Sequence, residues 1–440
     1  MKKVLIITYY FPPSGGPGVQ RVLKFVKYLP EFGWEPVVLT VKEGDYPARD
    51  ESLLKEIPPL LKVFRTRILE PYGFYRSITG KKPGTAVDVN NIPKKGERKN
   101  FSEAIAEFIR ATFFIPDARI GWLFSAVSEA KRIIKEEHID AIYSSSPPYT
   151  CAVIARNVHR ATGIPWVAGF RDPWTGFLST PNRWFLPKKL DEYFERSCFE
   201  EATRVEVAWR GILLDLHKKY PDIPLDKVAH LPNGFDSADF PQTTYRRNER
   251  FTVTYTGSMY GVRNPKTFLQ AIANLIATKQ IDPLKIRLNF IGRFGAEVLE
   301  MFHEPAVADC IETLSYLPHS ESIAYLMKSD ALLLIVDEYP GGEEIVPGKV
   351  FEYIGARRPI IGIAHEGAVA ELLRSTRTGH VARNDDVPAI ERIVLEYYND
   401  YLYNKSSFSP DLKAIVQFER REITKRLVQL FDESVEHAAP

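Results

Sequence analysis

Cysteine is scarce in this chain: Cys151, Cys198 and Cys310 are the three among 440 residues. They are scattered and fit neither a metal-ligand spacing nor a disulfide framework, which favours a reducing, cytoplasmic setting. Long apolar runs are missing too, and none reaches the roughly 18 residues that a membrane-spanning helix needs. The start, MKKVLIITYYFPP, has a charged beginning and a short apolar stretch but no small-residue cleavage site. It reads as a first β-strand and not as a leader peptide. Excess charge of one sign is also absent. A formal net charge of +2 excludes the balance of a chain built for nucleic acid. The sequence holds no H-E-x-x-H, C-x-x-C or D-x-D, no regular Asp/Glu metal loop and no G-x-S-x-G elbow. Neither a metal nor a serine nucleophile is indicated. A P-loop and a G-x-G-x-x-G fingerprint are missing as well, which argues against a bound dinucleotide.

What is there is a globular composition, 45% hydrophobic and 26% charged, on a chain too long for one ordinary domain. Strand Lys3–Thr8 leads through YYFPPSGGPG into a helix from about Val19 to Glu31, with Val22, Phe25, Val26 and Leu29 at helical spacing. Strand Pro36–Thr40 follows. Further on come helix Phe124–Glu137, strand Ala141–Ser144, helix Tyr149–Thr162, strand Trp166–Phe170, helix Lys188–Ala202 and strand Arg204–Ala208. The pattern lapses around Ile223–Gln242, which is rich in turn residues, and restarts with strand Phe251–Thr256 and helix Lys266–Ala277. Strands at Ile286–Ile291, Ala331–Val336 and Ile360–Ile363 then alternate with helices. The expectation is an α/β protein with two Rossmann-like, doubly wound parallel-sheet domains whose strand ends face a central cleft. The boundaries read as 1–222 for the first domain, 223–245 for a linker, 246–408 for the second domain and 409–440 for a tail. A last helix, about Asp411–Phe431, is amphipathic and can pack back on the first domain.

The stretch GGEEIVPGKVFEYIGARRPII places Glu344 and Glu352 eight residues apart, between two apolar runs. It reads as strand, acidic loop, helix, strand. Pro347 suits the first helical position, because its ring presets φ and its missing N–H is not needed there. The free N–H groups near Gly348 and Lys349 then suit an anion such as a diphosphate. Glu352 falls about 7–8 Å further along the axis. A nucleotide-sugar, with a diphosphate in its middle, has the shape to meet one carboxylate at each end. A salt-bridged helix entrance is the plainer reading of the same residues.

Other candidates also follow predicted strands. Gly15, Gly16 and Gly18 permit close backbone approach to a phosphate or sugar, although any strand-to-helix turn can use glycine. In GFRDPWTG, Asp172 can accept hydrogen bonds from sugar hydroxyls or orient an acceptor; a structural salt bridge with Arg171 is the alternative. In TGSMYGVRNPK, Ser258 lies in the loop, and Arg263 is the better candidate than Lys266 to neutralise a diphosphate; Arg293 in FIGRFG is a weaker one. His230 in HLPNGFD reads as structural. Basic residues outnumber acidic ones over Leu60–Lys135, with a loop-like basic centre at 77–100. Beside Phe113, Phe114, Trp122 and Phe124 they suit an anionic membrane surface, or else an ordinary solvated charge run next to a core helix.

Taken together, YYFPPSGGPGVQR, FRDPW, LPNGFD, YTGSMYG, FIGRFG and PGKVFEYIGARRPII resemble, in order and over nearly the whole chain, the retaining glycosyltransferases of family four. P-x-K-x-x-E-Y at Pro347–Tyr353 is similar to the branch that assembles cell-surface polysaccharides. The resemblance implies the GT-B fold and a UDP- or GDP-sugar as donor, with no further cofactor. It implies a glycan or lipid-linked acceptor, and a cytoplasmic protein peripheral to the membrane. It assigns Glu352 to the ribose hydroxyls, Glu344 to the donor sugar and the backbone of Val346, Pro347 and Gly348 to the diphosphate. Arg263 and Lys349 become the charges that stabilise the leaving phosphate, with Asp172 on the acceptor side. Two positions depart from the family pattern: Arg171 stands where many members carry His, and Ser258 where many carry Arg. A nucleotide-sugar epimerase on the same plan, or a scaffold with a degenerate donor site, are the competing readings.

Overall fold

The computed structural model describes residues 1–46, 49–69, 108–177, 180–241, 246–261, 263–337 and 342–438. The basic stretch 77–100 lies outside them. The chain forms two compact units, one of Met1–Pro232 with Ile423–Pro440 and the other of Asn233–Glu422.

Among the described residues of the first unit, seven strands pair in parallel: β1 (Lys2–Thr8), β2 (Trp34–Val41), β3 (Lys62–Thr66), β4 (Ala141–Ser146), β5 (Trp166–Phe170), β6 (Arg204–Val207) and β7 (Val228–His230). Their order is β3-β2-β1-β4-β5-β6-β7. Val4–Ile7 are all buried, and Val4 sits opposite Pro36 on one side and Ala141 on the other. Such continuous apolar strands are expected where helices cover both faces of a parallel sheet. Helix Pro17–Tyr28 brings Phe25 edge-on to Tyr143, with ring centres 5.9 Å apart. The C-terminal helix Arg420–Ala438 completes this core: Phe431 lies 5.2 Å from Trp34 and 6.1 Å from Tyr143.

The second unit has six such strands among its described residues: β8 (Phe251–Thr256), β9 (Ile286–Ile291), β10 (Ile311–Leu314), β11 (Ala331–Ile335), β12 (Ile360–Ile363) and β13 (Gly379–Ala382). Their order, β10-β9-β8-β11-β12-β13, reverses direction between β8 and β11. A crevice opens beyond the strand ends at such a switch point, so the loops after β8 and β11 are where a ligand is expected.

Three expectations need correction. The expected final helix is two, Leu412–Val416 and Arg420–Ala438. Between them the Phe418 carbonyl accepts from Phe235 N (3.0 Å) and Arg420 N donates to the Phe235 carbonyl (2.8 Å), so the backbone bonds outside a helix. The helix expected from Lys188 begins at Phe185, because Pro187 in the first turn lacks only an N–H that has no helical partner there. Trp122, read as a lipid-facing aromatic, is buried, with its indole donating to Thr66 Oγ1 at 2.7 Å; Phe113 and Phe124 are exposed.

Candidate functional site

The loops at the β8 and β9 ends are held together backbone to backbone. Gly257 N donates to the Ile291 carbonyl (2.9 Å) and Met259 N to the Arg293 carbonyl (3.0 Å). A Cβ on Gly292 would stand 1.9 Å from the Gly257 carbonyl oxygen, so only glycine fits. Tyr255, next to last on β8, donates its hydroxyl to the Ser258 carbonyl at 3.0 Å and accepts from Lys349 Nζ at 2.8 Å.

Lys349 opens helix Lys349–Ala356, two residues after the position expected from Pro347. Val350 N turns back to the Pro347 carbonyl (3.1 Å) and Phe351 N to that of Gly348 (3.3 Å), so Pro347 only leads into the helix. Tyr353 fixes this helix on the sheet by accepting from Thr256 N at 2.9 Å. The Lys349 ammonium lies 4.0 Å from the centre of the Tyr255 ring. Burial, and secondarily the charge of Arg263, push it down to about 7, against the pull of Asp337 and Glu352. Arg263 is itself paired with Asp337, Nε to Oδ1 at 2.8 Å, just past β11. Arg263, Lys349, Asp337 and Tyr255 thus form one cluster at the switch point.

Glu352 lies in the first turn of the same helix, half-exposed, and its Oε1 is 3.2 Å from His319 Nε2 at the start of helix His319–Lys328. Glu344 is half-exposed and makes no hydrogen bond or ion pair with any described residue. Its loop is pinned at Glu343, whose carbonyl accepts from Ala368 N at 2.8 Å. Arg293 is exposed and stacks over Tyr316 at 5.4 Å. Three members of this site, Tyr255, Asp337 and His319, escaped the sequence. Asp337 stands two residues beyond β11, and His319 opens a helix whose first turn also carries Glu321, so nothing singled it out. A polar residue immediately past a buried strand was the available clue for Asp337.

In the first unit, Gly16 caps helix Pro17–Tyr28 with φ of 103°, and Gly18 lies beneath the Arg171 guanidinium, where a Cβ would be 3.1 Å from Nη2. Arg171 donates to Ser145 Oγ and to the Pro147 carbonyl. Asp172 is half-buried, and that burial raises its carboxyl above the usual range despite Arg171 beside it. The turn that carries it is fastened from behind. The Trp174 indole donates to Asp191 Oδ1 (2.8 Å), and Thr175 N donates to Glu195 Oε1 (3.1 Å). His230 ends β7, and its carbonyl accepts from Arg426 Nη2 at 2.5 Å.

No described helix is long and apolar enough to cross a membrane, and no described group of His, Cys, Asp and Glu is placed to hold a metal ion.

Two doubly wound parallel sheets, one in each unit, make this a GT-B fold. The Glycosyltransferase Family 4 model matches residues 87–239 and the Glycosyl transferases group 1 model matches residues 250–400, together well over half of the chain, which belongs to this family. No curated protein sequence matches this one. Its fold is similar to that of the Anabaena protein HepE in complex with UDP, with a TM-score of 0.59 at 13% identity over 98% of this chain and 100% of that one. Sucrose-phosphate synthase from Thermosynechococcus elongatus gives a TM-score of 0.63 at 12% identity, covering 100% of both chains. A mutant of S. aureus TarM, in complex with fondaparinux, α-GlcNAc-glycerol and UDP, gives 0.61 at 10% identity over 98% of this chain and 100% of that one.

Proposed function

We propose that this glycosyltransferase moves a sugar, with retention, from a UDP- or GDP-sugar to a hydroxyl of a lipid-linked or cell-surface glycan precursor. The observation that carries the donor side is the second unit's cluster, which gathers Arg263, Lys349 and Glu352 where a switch-point crevice is expected. In this reading Glu352 holds the ribose hydroxyls and Glu344 meets the donor sugar. The diphosphate lies along Val346–Lys349, with Ser258 and Arg293 on the neighbouring strand ends. Departure of the diphosphate builds negative charge on its β-phosphate, and Arg263 and Lys349 stabilise that charge more in the transition state than before it. The leaving phosphate takes the acceptor proton, so no protein nucleophile is needed. Asp172, with the Gly15–Gly18 turn, belongs to the acceptor side in the first unit. The enzyme works in the cytoplasm at the inner membrane surface, where a lipid-linked acceptor is presented. Uridine is the favoured base, because UDP is the ligand named for two of the similar structures.

Calorimetric titration with UDP-, GDP- and ADP-sugars tests the donor assignment. Binding of one class, weakened in Glu352→Ala, is expected. A well-folded sample that binds none of them would sink it.

A further inference from the structure

The two cations of the donor cluster are held differently. Lys349 opens a helix that Tyr353 fixes on the sheet. Arg263 lies between β8 and helix Lys266–Ala277, on neither a strand nor a helix. Its backbone N–H donates to the Tyr260 carbonyl at 3.2 Å, which closes a turn but does not aim the long side chain. A charge on a connecting segment is placed less sharply than one on a regular element, and its rotamer must be locked by other groups. Asp337 supplies that lock. It stands two residues past β11, the strand next to β8. Its carboxylate accepts from Arg263 Nε (2.8 Å, to Oδ1) and from Nη2 (to Oδ2). Two parallel bonds from a planar guanidinium fix its plane as well as its place. They use one edge of the group. The other edge turns to the loop after β8, with Nη1 3.5 Å from the Ser258 carbonyl.

Stability does not account for this pair. Its side chains are 33% and 22% exposed, and an ion pair so open to water adds little to the folded state. Attraction does not account for it either, because a carboxylate beside a diphosphate site repels the ligand. Orientation does. The guanidinium is offered in one pose before a ligand arrives, and a charge organised in advance needs no rearrangement as phosphate charge builds up.

We propose that Asp337 is the positioning residue of the donor site, aiming Arg263 at the diphosphate without touching the donor itself. This rests on the donor assignment above. Calorimetric titration of the full chain with UDP and with UMP tests it in the parent, Asp337→Asn, Arg263→Ala and their double variant. Asp337→Asn should weaken UDP about three- to tenfold and leave UMP, which lacks the outer phosphate, nearly unchanged. Asp337→Glu keeps the carboxylate and should recover part of the loss. Arg263→Ala should weaken UDP at least as much, and adding Asp337→Asn to it should weaken UDP no further. Circular dichroism and the urea midpoint should match the parent throughout. UDP bound as tightly or more tightly by Asp337→Asn would overturn the proposal, because the carboxylate would then only compete with phosphate. So would equal losses for UMP and UDP, or losses that add in the double variant. A parent that binds neither nucleotide sinks the donor assignment and this proposal together. A parent that binds UDP beside an equally tight Asp337→Asn sinks the proposal alone.

Discussion

At the end of β5 in the first unit, Arg171 gives its terminal nitrogens to Ser145 and the Pro147 carbonyl, and its guanidinium closes over Gly18. Near the end of β8 in the second unit, Lys349 donates to the Tyr255 phenol within the field of Arg263, Asp337 and Glu352, and Glu344 makes no hydrogen bond or ion pair with any described residue. The contrast extends deeper. The first unit commits Glu195 to Thr175, Lys219 and Tyr220, and pairs the fully buried Arg21 with Glu206. Arg21 also donates to the Leu231 and Pro232 carbonyls at 2.8 and 2.9 Å. Charged groups that satisfy one another define a shape, whereas charged groups left under-satisfied near a surface are prepared for a ligand. The same sheet order thus supports a rigid frame in one unit and, in the function proposed above, an anion site in the other.

The largest effect should come from the frame. Glu195→Ala removes the buried acceptor shared by Thr175, Lys219 and Tyr220, and should cost about 3–5 kcal/mol in urea unfolding while UDP affinity of the folded protein is retained. A drop in affinity with little loss of stability would erase the distinction between the units. Next, Glu352→Ala should weaken UDP by about 1.5–3 kcal/mol, the worth of a hydrogen bond to a charged group, with the unfolding midpoint nearly unmoved. Calorimetry reads both.

The third test uses pH. The environment of Lys349 favours its neutral amine, whereas a diphosphate favours the ammonium. Below about 7 the ammonium is already formed and affinity is full; above it, binding must take up a proton. UDP affinity should therefore fall as pH rises through and beyond neutrality, by at most about tenfold per unit. Lys349→Met should bind weakly with a flat profile; a parent profile already flat from pH 6 to 9, by about three units of span, would remove Lys349 from the phosphate. The smallest effect is expected at His319. Its ring braces Glu352, so His319→Phe should raise the donor KM about three- to tenfold with kcat unchanged, and His319→Gln should recover part of the loss. A fall in kcat alone would place His319 elsewhere in the reaction.

The sequence was most legible where strands are buried on both sides. Trp166–Phe170, Phe251–Thr256, Ile286–Ile291 and Ile360–Ile363 appear where their apolar runs place them. The four strands it failed to announce, β3, β7, β10 and β13, are the edges of the two sheets. Edge strands are short and partly exposed, so their residues mix polar and apolar without the continuous run that marks a central strand. The site was legible in the same graded way. Lys349 and Arg263 fall together, but their partners Tyr255 and Asp337 come from strands distant in sequence, and only the sheet order brings those side chains near. The two-residue delay of the helix after Pro347 is a backbone detail that a proline signal cannot fix.

Amide hydrogen exchange with and without UDP tests the division of roles most directly. Slowed exchange should be confined to the second unit, in the segments carrying Ser258, Arg263 and Glu344–Glu352, with the turn at Arg171–Thr175 unchanged. Protection centred on that turn or on Gly15–Gly18, with the Lys349 helix unaffected, would contradict the account.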